Sequence, residues 1–136
     1  MSAKDVLKLM KDKEVEFVDF RFTDPRGKLQ HVTMDATIVD DEMLEEGVFF
    51  DGSSIAGWKA INESDMILKP DTARMFMDPF TSHNTVVLFC DILDAIKKDP
   101  YERDPRGVAK KAEEYGLFCP QPLTSPSTEP VRKNRD

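Results

Sequence analysis

The sequence predicts a mixed α+β domain: about five strands in one sheet, with few and short helices. Three observations carry that reading. Thr85 to Ile92 is a near-continuous apolar run of the kind found in a central strand covered on both faces. Thr23-Asp24-Pro25-Arg26-Gly27 separates two strand-like runs with the chemistry of a tight turn. Helical spacing is confined to short stretches, and no internal repeat is visible.

Ser2 suits the cap of a first helix, with Val6, Leu7 and Met10 on one face and Lys11 and Lys13 at its end. Val15 to Phe22 reads as a strand with Val15 and Phe17 on one face and Val18, Phe20 and Phe22 on the other, so both faces are at least partly covered. Asp24, Pro25 and Gly27 fit the first, second and fourth positions of a type I turn. Lys28 to Met34 then returns as a second strand, with Val32 and Met34 inward. Asp40 caps a short helix over Asp41 to Glu46, which Gly47 stops. Met66-Ile67-Leu68 and Met75-Phe76-Met77 read as two further short strands, closed by Pro70 and Pro79. Asp104-Pro105 opens a last helix carrying Val108, Ala109, Ala112 and Tyr115 through to Gly116.

A chain of 136 residues supports one domain with a real core. Its formal charge of -7 argues against a general nucleic-acid binder, which needs a basic face for phosphates. From Gln30 to Gly57 there is no Lys or Arg, while Asp35, Asp40, Asp41, Glu42, Glu45, Glu46 and Asp51 all fall there. A solvated helix face with acid near its N-terminus accounts for that stretch; a contact with a basic surface on another chain is the alternative. Cys90 and Cys119 form neither a disulfide framework nor a metal-ligand spacing, and Cys90 reads as a small buried hydrophobe. His31 and His83 lack neighbouring ligands and read as surface or strand residues. The N-terminus has no apolar signal core and no run spans a bilayer, so a reducing cytoplasm is the expected location.

The most informative segment runs from Phe49 to Met66. Two aromatics lead into Asp51-Gly52, two hydroxyls and a second glycine follow, and the only Trp stands beside Lys59. Gly52 and Gly57 permit backbone angles closed to other residues, so Asp51, Ser54 and Trp58 can be aimed from a tight loop. The same residues also fit a strand end, a turn and a Trp packing over the core. Spacing alone leaves both open.

These residues, taken together, resemble the N-terminal part of bacterial type I glutamine synthetase. Val15-Glu16-Phe17-Val18-Asp19, Arg21-Phe22-Thr23-Asp24, Gly27-Lys28 and Gln30-His31-Val32-Thr33 look like that family's first hairpin. Phe50-Asp51-Gly52-Ser53-Ser54-Ile55, Gly57-Trp58-Lys59 and Ile61-Asn62-Glu63-Ser64-Asp65-Met66 are similar to its signature loop. Asp78-Pro79-Phe80, Cys90-Asp91-Ile92 and Tyr101-Glu102-Arg103-Asp104-Pro105-Arg106 extend the likeness, which covers roughly Ser2 to Tyr115.

The resemblance implies a β-grasp (ubiquitin-like) fold and a site shared between subunits of a double-ring dodecamer. In that family the N-terminal domain lends the loop matched by Asp51 and Ser54 to the catalytic barrel of its neighbour. ATP and Mg²⁺ or Mn²⁺ drive formation of γ-glutamyl phosphate, which ammonia attacks to give glutamine. Asp51 is then expected to hold ammonium and Ser54 to orient the site, while Trp58 packs the loop and Asp65 anchors it. The expected organisation is a β-grasp domain over residues 1–103, a connecting helix over 104–116 and a disordered, proline-rich, non-family tail over 117–136. A reading-frame shift or truncation would explain such a tail. The catalytic barrel, its metal ligands and its nucleotide contacts have no counterpart in the sequence. No cofactor is therefore expected to bind this chain alone, and the expected partners are ammonium and other glutamine synthetase subunits. The competing reading is a non-catalytic β-grasp module that binds or helps assemble a full-length synthetase.

Overall fold

The strand Thr85–Asp94 (β5) is the axis of a five-stranded sheet in the computed structural model, which describes residues 2–55 and 65–118. Phe17–Thr23 (β1) pairs with it in parallel, and Leu29–Asp35 (β2) pairs with β1 in an antiparallel hairpin. On the other side lie Asp65–Met77 (β4) and then Val48–Asp51 (β3), both antiparallel to their neighbours. The order across the sheet is β2-β1-β5-β4-β3. Helices Ala3–Asp12 (α1) and Asp41–Glu46 (α2) accompany the sheet, and Pro105–Phe118 (α3) follows it.

Local chemistry sets the hairpin. The Gly27 amide donates to the Asp24 carbonyl at 2.9 Å, closing the expected turn, and Gly27 takes φ of 82°. Asp24 Oδ1 also accepts from the amides of Arg26 and Lys28, each at 2.9 Å. The α1 cap is reciprocal: the Asp5 amide donates to Ser2 Oγ, and Asp5 Oδ2 accepts from the Ser2 amide at 2.9 Å. Asp40 caps α2 through the Met43 amide.

Alternation along β1 and β5 sends Val18, Phe20 and Phe22, with Val86, Leu88, Cys90 and Ile92, to one face. There they meet Val6 and Met10 of α1, Leu44 of α2, and Met66 and Leu68 of β4. Each fully buried Leu or Phe contributes ~1.5–3 kcal/mol. Burial also pushes the Cys90 thiol well above its ordinary range. The opposite face is partly closed as well, as the mixed parity of β1 predicts. Val87 is fully buried there, with Phe76 opposite it in register and the Phe76 and Phe89 rings 6.1 Å apart.

The expected strand count of five is met, but by different strands. Met66–Leu68 and Met75–Met77 are not two strands; they are the ends of one, β4, with an irregularity between Pro70 and Met75. Pro70 is tolerated because β3 stops opposite Leu68 to Asp65, leaving the proline on an unpaired edge. The fifth strand is β3, which the sequence reading left as a lead into a turn. Helix α3 runs two residues past Gly116, and the apolar residues expected on its inner face do not pack inward: Val108 is 56% and Tyr115 71% exposed, and Ala109 and Ala112 are exposed as well. Its anchor is polar and lies at its start. Asp104 is 2% exposed, accepts from the Ile92 amide at 3.2 Å and from the Arg106 amide at 3.1 Å, and so fastens the helix to β5. Arg106 pairs with Asp71 and Asp91, and Lys110 with Asp91 at 2.6 Å. The tail expected over 117–136 lies, from residue 119 onward, outside the described residues.

Candidate functional site

The Asp51 segment is presented by β3, and β3 is held from three directions. Gly47, at φ of 98°, ends α2; a Cβ there would lie 2.4 Å from Ile67 Cγ2 and 2.7 Å from the Leu68 carbonyl oxygen. Only glycine lets the chain turn this close against β4. Phe50 tilts against Phe22 of β1 with ring centroids 5.2 Å apart. The ladder itself matches Phe49 with Ile67, Phe50 with Met66 and Asp51 with Asp65.

Beyond β3 the chain closes into a 3₁₀ turn, Gly52–Ser54. Asp51 caps it: its Oδ1 accepts from the Ser53 amide at 2.9 Å. Ser54 Oγ donates back to the Asp51 carbonyl at 2.8 Å, and the Ile55 amide donates to the Gly52 carbonyl at 3.1 Å. Gly52 is buried, while Asp51 and Ser54 are exposed. The left-handed backbone angle expected of Gly52 is used instead by Gly27 and Gly47, the positive-φ glycines among the described residues.

Of the four residues singled out in the sequence, the structure brings three together. Asp51 and Ser54 share one turn, and Asp65 is the direct cross-strand partner of Asp51. Trp58 lies outside the described residues. Residues directly opposite in an antiparallel pair have Cβ atoms about 4.5–5.5 Å apart on the same face. Two exposed carboxylates placed this way gather negative charge at one end of the sheet, an arrangement that attracts a small cation. The exposed acid of the 40–46 stretch is only half as expected: Asp41 and Glu42 occupy the first turn of α2, whereas Glu46 ends it and pairs with Lys98 at 3.1 Å.

A second polar cluster escaped the sequence reading. Asp19, 4% exposed in the middle of β1, accepts from Arg21 Nε at 2.6 Å, His31 Nδ1 at 2.8 Å and Thr33 Oγ at 2.8 Å. Arg21 Nη2 donates onward to Asp78 at 2.5 Å. Desolvation works to raise the Asp19 carboxyl, but the hydrogen bonds from Arg21, His31 and Thr33 outweigh it and hold it below the usual range. The cluster fixes the 78–84 loop against the hairpin. Its one sequence signal was a charged pair, Asp19 and Arg21, on the face opposite Val18 and Phe20. Among the described residues no three His, Cys, Asp or Glu side chains converge to hold a metal ion, and no helix is long and apolar enough to cross a membrane.

The family model described as "Glutamine synthetase, beta-Grasp domain" matches residues 14–95. Glutamine synthetase of Rhizobium meliloti (strain 1021) is 62% identical over 114 residues, 84% of this chain and 24% of that protein. The enzyme of Salmonella typhimurium (strain LT2) is 54% identical over 131 aligned positions, 90% of this chain and 28% of the other. Among solved structures, a cryo-EM structure of Plasmodium falciparum glutamine synthetase superposes with a TM-score of 0.76 at 25% identity, covering 87% of this chain and 23% of that one. The chain spans about a quarter of the length of the relatives it matches.

Proposed function

This chain belongs to the glutamine synthetase family, whose β-grasp domain it carries, and from that premise we propose that it supplies the ammonium-side part of a ligation site completed by another polypeptide. The observation that carries the reading is the position of Asp51. It stands exposed at the end of β3, opposite Asp65, on a turn capped by its own side chain. A carboxylate there attracts an ammonium ion with ~4 kcal/mol at 4 Å and an effective dielectric of 20. The same attraction resists loss of the ammonium proton, so a base within reach must take it as nitrogen attacks the activated acyl group. Ser54, bonded to the Asp51 carbonyl, keeps the turn closed and the carboxylate aimed.

In this reading phosphoryl activation of glutamate belongs to the completing polypeptide, and the chain by itself is expected to show no turnover. The test mixes the purified chain with a glutamine synthetase ring whose own β-grasp domains have been deleted. Glutamine formation is then followed with glutamate, ammonium, ATP and Mg²⁺. Activity is expected only in the mixture, and Asp51→Asn is expected to lower it by at least about tenfold, the loss of ~1.4 kcal/mol of transition-state stabilisation. Turnover by the chain alone would overturn the shared-site reading. An Asp51→Asn mixture as active as the unaltered one would remove Asp51 from the chemistry.

A further inference from the structure

The two edges of the sheet are guarded differently. The β3 edge is four residues long and ends on Asp51, and the stretch of β4 beyond it carries Pro70, Asp71 and a register break. Prolines, charges and irregularities of this kind keep an edge from recruiting another strand. The β2 edge has no proline and no irregularity, and its one carboxylate, Asp35, stands at its very end. Leu29–Asp35 is seven residues of regular pairing without Pro, Lys or a bulge, and Leu29 is 49% exposed.

The backbone of β2 shows which groups that edge offers. The Asp24 amide donates to the Lys28 carbonyl at 2.9 Å, and the Ala36 amide to the Glu16 carbonyl at 2.8 Å. With Phe20 opposite Val32, the even-numbered residues of β2 therefore exchange their hydrogen bonds with β1. Leu29, His31, Thr33 and Asp35 turn their N–H and C=O groups outward. Among the described residues no strand lies on that side.

We infer that this edge pairs with itself: two copies of the chain join antiparallel, β2 to β2, about a two-fold axis at Val32, to make one continuous sheet. Registers centred on His31, Val32 and Thr33 all set outward groups against outward groups, but of these only the one centred on Val32 pairs all seven residues of β2. His31 then faces the partner's Thr33, and Leu29 faces the partner's Asp35, each as a hydrogen-bonded pair; Val32 meets its own copy. No like charges are opposed. The antiparallel sense also brings the basic turn residues Arg26 and Lys28 of one copy beside the acidic Asp35 end of the other, both exposed. A parallel pairing would stack turn on turn. The β2 edge is across the sheet from β3, so this inference does not rest on the reading of Asp51, and either stands if the other fails.

The test is sedimentation equilibrium of the full chain at ~0.15 M salt, where the net charge of -7 is screened beyond about 8 Å. Leu29→Asp sets a carboxylate against Asp35 twice across the axis, and Leu29→Lys sets an ammonium there. Cross-strand charge pairs of this strength predict a dimer weakened about tenfold by the first and tightened severalfold by the second. Leu29 is half exposed, so both variants fold, which circular dichroism checks. Hydrogen exchange gives a second readout: protection of the Leu29, His31, Thr33 and Asp35 amides rises with protein concentration, while that of Gln30, Val32 and Met34 does not. A chain that stays monomeric at its highest attainable concentration would overturn the inference. So would a dimer indifferent to the sign of the charge at position 29, or one that protects β3 and β4 instead.

Discussion

Asp19 and Asp104 are both aspartates of this one small domain, both nearly inaccessible, and their protonation affects stability in opposite directions. Asp19 is held ionised: its folded-state pKa lies below the unfolded value, so its contribution is present above about pH 4 and fades as pH falls through the folded value. Asp104 is shifted upward, chiefly by desolvation and against the backbone amides of Ile92, Arg106 and Gly107. Its contribution is full below the unfolded value and fades as pH rises through the folded one. Urea denaturation between pH 3 and 7 should therefore show Asp19→Asn losing ground to the unaltered chain as pH rises, and Asp104→Asn gaining ground. Parallel slopes would contradict the assignment. Neither aspartate's burial was legible in the sequence, because a charged residue, whether in a strand like Asp19 or before a helix like Asp104, gives no sign of its distant partners. The turn at Asp51 was legible, since an Asp-Gly pair after two aromatics marks one; that Asp65, itself singled out in the sequence, stands opposite Asp51 was not, since pairing depends on register.

At the scale of elements, what a few neighbouring residues decide was read correctly. The hairpin turn, the Ser2 cap, and the start and stop of α2 all follow from local hydrogen bonding, and all are present. Replacing Ser2 with Ala removes the hydroxyl that accepts from the Asp5 amide and donates to the Asp5 carboxylate, and should cost ~1 kcal/mol, measured by thermal or chemical denaturation. What depends on distant neighbours was misread. Pro70 looked like the end of a strand, yet an unpaired edge lets β4 run on to Met77, thirteen residues in all. The four residues of β3 had too little pattern to announce themselves, and they are a strand because β4 is there to receive them. Gly47 sits at that junction. Gly47→Ala combines a positive φ with a clash against backbone, so a loss of ~2–4 kcal/mol is expected in chemical denaturation. A loss below about 0.5 kcal/mol would show that β3 is free to shift.

Across the whole molecule, protection is graded from the sheet's centre outward. β5 is paired on both sides and buried without interruption from Thr85 to Leu88, whereas β2 is paired on one side and α3 is docked only by its first turns. Native-state hydrogen exchange of the dilute chain should accordingly be slowest at Val86, Leu88 and Cys90 and much faster along α3 beyond Lys110. Uniform protection through Tyr115 would mean that α3 packs more firmly than its exposed side chains indicate. The fold class was legible because the central apolar run admits few other uses. The exposure of α3 was not, because Val108, Ala109, Ala112 and Tyr115 carry the spacing of a helix that packs on something, and the described residues provide no surface for it. The buried thiol on the sheet's inner layer has a practical use. With Cys119 changed to Ser, an alkylating reagent reaches Cys90 only when β4 and β5 part, so the rate of labelling times the opening of the core directly, with no dye or added tag.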